Sequence, residues 1–233
     1  MKVMFEKIYG ECPYKSPTDM GVNMAGNCII NDEAAREASC NEIIRRYYNA
    51  LCNVKQGTGE KTEVQKIEVI MNKLGITGEM RAPVKPALER EAETGAPAAA
   101  IELCDGKIIT GRTSELLGTC SAMLLNALKY LANLPDEALL ISPTIIEPIQ
   151  ELKINHMGNR NPHLHMDEIL IALAVSAVTD ENAAKALAEL PKLKGTQAHS
   201  TVLLSRADEN VFKKLGIALT CEPKYQTNHL FHG

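Results

Sequence analysis

Residues 98–148 read AAAIELCDGKIITGRTSELLGTCSAMLLNALKYLANLPDEALLISPTIIEP, and their rhythm decides the fold. Ala98–Leu103 and Lys107–Thr110 are short apolar runs separated by Asp105-Gly106. That pair marks a hairpin, because the tight turn needs backbone with positive φ. Ser114 or Thr119 can then cap a helix running to Ala132, with Cys120 in its opening turn. Ala138–Ile141 reads as a short buried strand and Pro143–Leu152 as a short helix.

Outward from this stretch the chain keeps alternating. Upstream, residues 1–31 are punctuated by Gly and Pro and read as a loop-rich opening. From Asp32, a plausible N-cap, apolar residues recur at Ala35, Ala38, Ile43, Tyr47 and Leu51, a helix stopped by Gly57. A second helix covers about Thr62 to Leu74 before Gly75, and a third lies near Lys85–Glu93. Downstream, residues 155–165 form a polar loop. Helices are expected from Asp167 and over Glu181–Leu190, then a strand at His199–Ser205, a helix at Glu209–Leu215 and a strand at Ile217–Cys221. Strands alternating with helices predict an α/β fold: a small helical N-terminal subdomain over 1–94, then a three-layer α/β sandwich over 95–233.

Composition narrows the class. The 233 residues are 45% hydrophobic and 23% charged, ordinary values for a globular chain. A net charge of −4 gives no general pull toward nucleic acid, and no apolar run reaches the ~18 residues of a membrane span. Seven cysteines, odd in number and without a Cys-x-x-Cys pair, argue for reduced thiols in a cytoplasm rather than a disulfide framework.

The hairpin, the helix opening on Cys120 and the strand ending in Ser142-Pro143 resemble the core of the zinc-dependent cytidine deaminases. The resemblance implies a Cys or His ligand, a Glu two residues later, and two further cysteines after the next strand. Here the ligand position is Cys120, the proton-carrying Glu is Ala122, and the later cysteines are Thr144 and Glu147. Catalytic zinc needs three protein ligands and deamination needs a carboxylate, so the expectation is a degenerate, zinc-less deaminase-like fold with no metal and no cofactor. Cys120 then reads as a small buried apolar residue.

Longer words carry a second resemblance: SPTDMGVN at 16–23, EASCNEIIRRYY at 37–48, AAIEL and DGKIITG within 99–111, ISPTIIEPI at 141–149, DEILIALAVSA at 167–177 and LGIALTCEPKY at 215–225. With these the chain resembles the C-terminal half of the bacterial family called domain of unknown function 1846. The family's upstream half carries a segment resembling a phosphate-binding loop, whereas this chain has neither G-x-x-x-x-G-K-[ST] nor G-x-G-x-x-G. The resemblance implies a separately encoded or truncated half, partnered by that upstream portion and forming homo-oligomers.

Three constellations are candidates for chemistry. Lys15, Ser16, Thr18, Asp19 and Asn23, followed by Arg45 and Arg46, offer donors, close backbone approach and bidentate cations for a phosphate or carboxylate. The simpler reading makes Asp19 and Asn23 turn residues, and the arginines a solvated face or a subunit contact. His199 opens a strand beside Ser200, and adjacent strand residues face opposite ways, so no Ser–His nucleophile pair forms. One of the two can border a ligand site, with Glu222 and Lys224 on its rim. His156, His163 and His165 precede Asp167 and Glu168, a metal-like set that also fits a polar loop with Asp167 capping a helix; His229 and His232 lie in the tail. Together these point to a chain that binds a phosphorylated or nucleotide-like small molecule or assembles with a larger partner. The alternatives are a metal-independent transferase or hydrolase working with the upstream half, and a structural oligomerisation module.

Overall fold

The computed structural model describes residues 7, 8, 10 and 31–226. Helix α1 (Asp32–Gln56) begins one residue earlier than the Asp32 cap expected: Asn31 is the N-cap, its side-chain oxygen accepting the Ala34 N–H at 3.0 Å. An amide oxygen serves there as well as a carboxylate. Gly57 ends the helix in the left-handed conformation that its missing Cβ makes cheap. α2 (Lys61–Leu74) follows, then a single 3₁₀ turn at Gly78–Met80, then α3 (Val84–Thr94). Ile44, Tyr48, Met71 and Val84 bury together where these helices meet. Tyr48 fits because Gly78 has no Cβ; one built there would lie 2.6 Å from the tyrosine hydroxyl.

β1 (Ala98–Glu102) and β2 (Ile108–Arg112) form the hairpin predicted around Asp105-Gly106. Gly106 takes the positive φ, and Asp105 Oδ1 accepts the Lys107 N–H at 3.0 Å. β3 (Gln197–Ser200) and β4 (Ala218–Cys221) complete a four-stranded sheet in the order β2-β1-β3-β4. β1 is antiparallel to both neighbours, whereas β3 and β4 are parallel and joined through α8 (Arg206–Leu215). Parallel strands need such a crossover.

The pleat then sorts side chains into two cores. Ala99, Ile101, Ala198 and Cys221 join the larger core with α4 (Thr119–Leu131), α6 (Met166–Ser176), α7 (Glu181–Ala188) and α8. The opposite face carries Ala98, Ala100 and His199 toward α1 and α3. Helices on both faces make the three-layer α/β arrangement. Gly111 sets the spacing of one of them: a Cβ there would lie 2.1 Å from the Met123 backbone nitrogen, so α4 rests on the backbone of β2 itself.

Several expected elements differ. The strand predicted at Ala138–Ile141 is absent; Leu140 and Ile141 are buried, but as a loop that plugs the core. A four-residue apolar run cannot by itself distinguish a strand from a buried loop. The chain turns at once into α5 (Pro143–Glu151), capped by Ser142, and widens into one π turn at Leu152–His156. β3 stops at Ser200 rather than Ser205, because Val202, Leu203 and Leu204 are buried as a loop leading into α8. α6 starts at Met166, and Glu168 rather than Asp167 reaches back to the His165 N–H at 2.7 Å. Among the described residues no helix is long and apolar enough to cross a membrane.

Candidate functional site

Where the chain leaves β3, the loop 203–205 borders a cleft of about 760 Å³. Its other walls are the start of α4 (Gly118 to Ser121), the loop 158–165 and the start of α8, with Gln56, Thr58 and Gln226 at its margin. In α/β sheets, ligands enter at the carboxyl ends of strands, where loops and helix N-termini gather.

The loop 158–165 is held firmly. Leu164, fully buried, accepts the Ser121 hydroxyl at 2.8 Å and the Gly118 N–H at 3.3 Å, and donates its own N–H to Leu116. Lys153, also buried, donates to the His163 carbonyl and to Glu168 Oε2, both at 2.8 Å. A buried ammonium is tolerable only with such partners.

Three helices begin at this cleft, and they are not equivalent. α8 is capped by the Ser205 hydroxyl, which accepts the Asp208 N–H at 3.2 Å. The Asp208 carboxylate sits at the start of α6, taking the Met166 N–H at 2.8 Å and facing His165 Nδ1 at 2.9 Å. Burial pushes the Asp208 carboxyl up, but its hydrogen bonds to His165, Met166 and Ser205 outweigh this and hold it below its ordinary value. Those two helix starts already hold a negative or polar partner. α4 does not: its N-cap is Gly118, which offers no side chain. Just inside it Thr119 is 4% exposed, and its hydroxyl has no hydrogen-bond partner among the described residues. The α4 start thus lacks a side-chain cap and sits beside a hydroxyl without a partner among the described residues; the N–H groups of such a helix start attract negative charge. Arg160 and Arg206 line the same cleft.

Cys120 also lines the cleft, with its thiol buried. Burial and the nearby Asp208 carboxylate push its pKa well above the usual thiol range, so it stays neutral and is a poor nucleophile. Among the described residues no group of three His, Cys, Asp or Glu side chains is placed to hold a metal ion. Thr144 and Glu147 lie on α5, and neither lines the cleft.

The residues singled out from the sequence fall elsewhere. Lys15, Ser16, Thr18, Asp19 and Asn23 lie outside the described residues, as do His229 and His232. Arg45 and Arg46 both clasp Glu42, one helical turn away: Arg45 through two bonds of 2.7 and 2.8 Å, Arg46 through one of 2.9 Å. Those bonds, Arg45's above all, pull the Glu42 carboxyl down to about 2. Arg45 borders a second cleft between α1 and β4, and Arg46 a third, so the two do not form one clamp. His199 and Ser200 do face opposite sides of the sheet. His199 is no rim residue: it is fully buried, accepts or donates at Thr220 Oγ1 (2.9 Å), and packs edge-on against Tyr48. Its Nε2 lies 3.3 Å from Glu222 without hydrogen-bond alignment. Lys224 turns away to Glu91 at 2.9 Å. His165 joins Asp208 across 43 positions of sequence, and no local pattern announces that pairing.

Comparison with known proteins accounts for nearly all of the chain. The model described as domain of unknown function DUF1846, N-terminal, matches residues 1–75, and its C-terminal counterpart matches residues 79–231. The chain belongs to the DUF1846 family. It matches both parts, not the C-terminal part alone as the sequence words suggested. The UPF0371 protein DIP2346 of Corynebacterium diphtheriae is 52% identical over 231 residues, 99% of this chain and 46% of its own length. The UPF0371 protein stu1377 of Streptococcus thermophilus is 52% identical over 99% of this chain and 47% of its own length. A UPF0371 protein of Streptococcus sanguinis is 50% identical with the same coverage. The chain thus spans about half the length of these DUF1846 relatives.

Proposed function

We propose that this chain binds a small phosphorylated or nucleotide-like molecule, its anionic group seated at the start of α4. The orphan Thr119 hydroxyl carries this reading: a buried polar atom without a protein partner costs about 1–3 kcal/mol, Thr119 lines the cleft, and a turn of its side chain toward that space would let an anion oxygen satisfy it. The uncapped N-terminus supplies backbone donors beside it, and Arg160 and Arg206 supply positive charge. The relatives' names, UPF0371 protein, specify no ligand.

The test is a thermal-shift and calorimetry panel of pyrophosphate, AMP and ribose 5-phosphate. A ligand at a hundred times its Kd stabilises by about 2.7 kcal/mol. Thr119→Val, close in shape, is expected to raise the unliganded melting temperature, because it removes the unpartnered hydroxyl, and to lose the ligand-induced shift. A panel with no shift for the natural chain would overturn the reading.

Assembly is a second reading, favoured by α6. Ile171, Val175 and Val178 present one exposed apolar stripe, 66%, 59% and 82% exposed. In a protein twice this length, the remainder (where a phosphate-binding segment was expected) or a second copy would cover it. Light scattering that finds a strict monomer, unchanged on adding the remainder of a full-length relative, would sink this reading. Transferase or hydrolase chemistry would likewise require that remainder.

A further inference from the structure

We infer that His165 is the proton-bearing contact to the bound anion, so that the cleft takes up a proton as it takes up its ligand. This rests on the binding reading above and goes beyond it by naming a titrating residue and the protonation state of the complex.

His165 lines the cleft, and its ring is fixed by one nitrogen. Nδ1 lies 2.9 Å from Asp208 Oδ2, and Asp208 is itself held by Met166 N–H and the Ser205 hydroxyl. The other nitrogen, Nε2, has no protein partner among the described residues and is not sealed from solvent, since the side chain is 26% exposed. A carboxylate on one side of an imidazole and an open cleft on the other is the arrangement by which a protein presents an N–H outward. The charged groups around the ring come from every wall. Asp208 faces it from α8, Lys153 from the π turn, Glu168 from α6 and His163 from the loop. Arg160, Arg206 and the neutral Cys120 thiol share the cleft.

These neighbours decide the sign. The hydrogen bond and charge of Asp208 raise the imidazole's affinity for its proton, against burial and Lys153. His163 moves the other way, lowered by burial and by its two cationic neighbours, so it is neutral above pH 7. Lys153 is already spent on Glu168. Above pH 6.5, where a raised imidazole titrates, His165 is therefore the neighbouring group whose charge an arriving anion changes.

Sulfate is the probe, because it keeps its two charges throughout that range while inorganic phosphate titrates. Calorimetry at pH 8 in two buffers of different ionisation enthalpy reads proton uptake directly. The natural chain is expected to take up a fraction of a proton per sulfate, and its affinity is expected to weaken roughly tenfold from pH 6.5 to 9, the change given by one pKa unit of coupling. His165→Gln is expected to bind with no uptake and a flat profile, while His163→Gln keeps both. Asp208→Asn, which removes the charge beside the imidazole and one of the two acceptor oxygens, is expected to move the profile to lower pH. Sulfate binding with no proton uptake by the natural chain would overturn this inference and leave the anion site standing. Undetectable binding of both sulfate and pyrophosphate would overturn both.

Discussion

Asp208 touches His165 at 2.9 Å with one carboxylate oxygen and the Met166 N–H at 2.8 Å with the other, so one side chain of α8 fixes the start of α6. The cleft is bounded by both helices, and its shape depends on this tie.

The tie has a defined pH window. Asp208 is held below its ordinary 3.8, so its stabilisation is complete above that value and is lost as pH falls through its lower folded value. His165 is held above its ordinary 6.5, so its share is complete below 6.5 and is lost as pH rises through its higher folded value. Urea unfolding of the natural chain and of Asp208→Asn is expected to differ most between about pH 4 and 6.5, narrowing on both sides. A difference that stays constant from pH 3 to 9 contradicts the pairing.

Gly111 sets how closely α4 packs on the sheet. Any Cβ there meets the Met123 backbone at 2.1 Å, and backbone of a buried helix cannot swing aside as a side chain does. Gly111→Ala is expected to cost about 3 kcal/mol or more, the upper range for overpacking. Denaturant midpoints check it, and a loss under 1 kcal/mol would mean α4 can shift.

Arg81 is 1% exposed, donates to the Ala218 carbonyl and leaves its Nε without a partner among the described residues. Burial pulls it down to about 10, a measure of how poorly its charge is tolerated. Arg81→Met is expected to be neutral or stabilising, as when other buried charges give way to apolar groups of similar volume. A loss above 2 kcal/mol in thermal unfolding would show that the guanidinium has a stronger partner.

Glu42→Gln releases Arg45 and Arg46 from their shared carboxylate. All three are partly exposed, so the expected loss is only about 0.5–1 kcal/mol. That loss is present at neutral pH and vanishes as pH falls from 4.5 toward 2, where Glu42 takes up its proton. Stability curves of the two proteins that fail to converge in acid would refute it.

The parts legible beforehand were those with local causes. Asp105-Gly106 demanded a turn, and Gly57, Gly75 and Gly216 stopped helices; the face read for α1 missed by one position, because Ile44 and Tyr48 rather than Ile43 and Tyr47 are buried, and in α2 Val64 and Met71 are buried while Ile70 is exposed. The strand expected at Ala138–Ile141 failed because its apolar residues plug a core instead of pairing with a neighbour. Without it, the likeness to a deaminase core loses the strand that its ligand spacing needs. The arginine pair was read without its partner, Glu42, which stands one turn before it and bonds both.

Alternation of apolar runs with glycine and aspartate punctuation sufficed to make this an α/β chain, since helix periods and tight turns depend on neighbours within about four residues. The cleft depends on something no such window contains. Thr119, His165 and Asp208 come from three separate segments, and it is the packing of α4, α6 and α8 around loop 158–165 that sets them facing one space. Burial left the Thr119 hydroxyl unpartnered and Asp208 fixed the imidazole from 43 positions away, and both are properties of the folded whole.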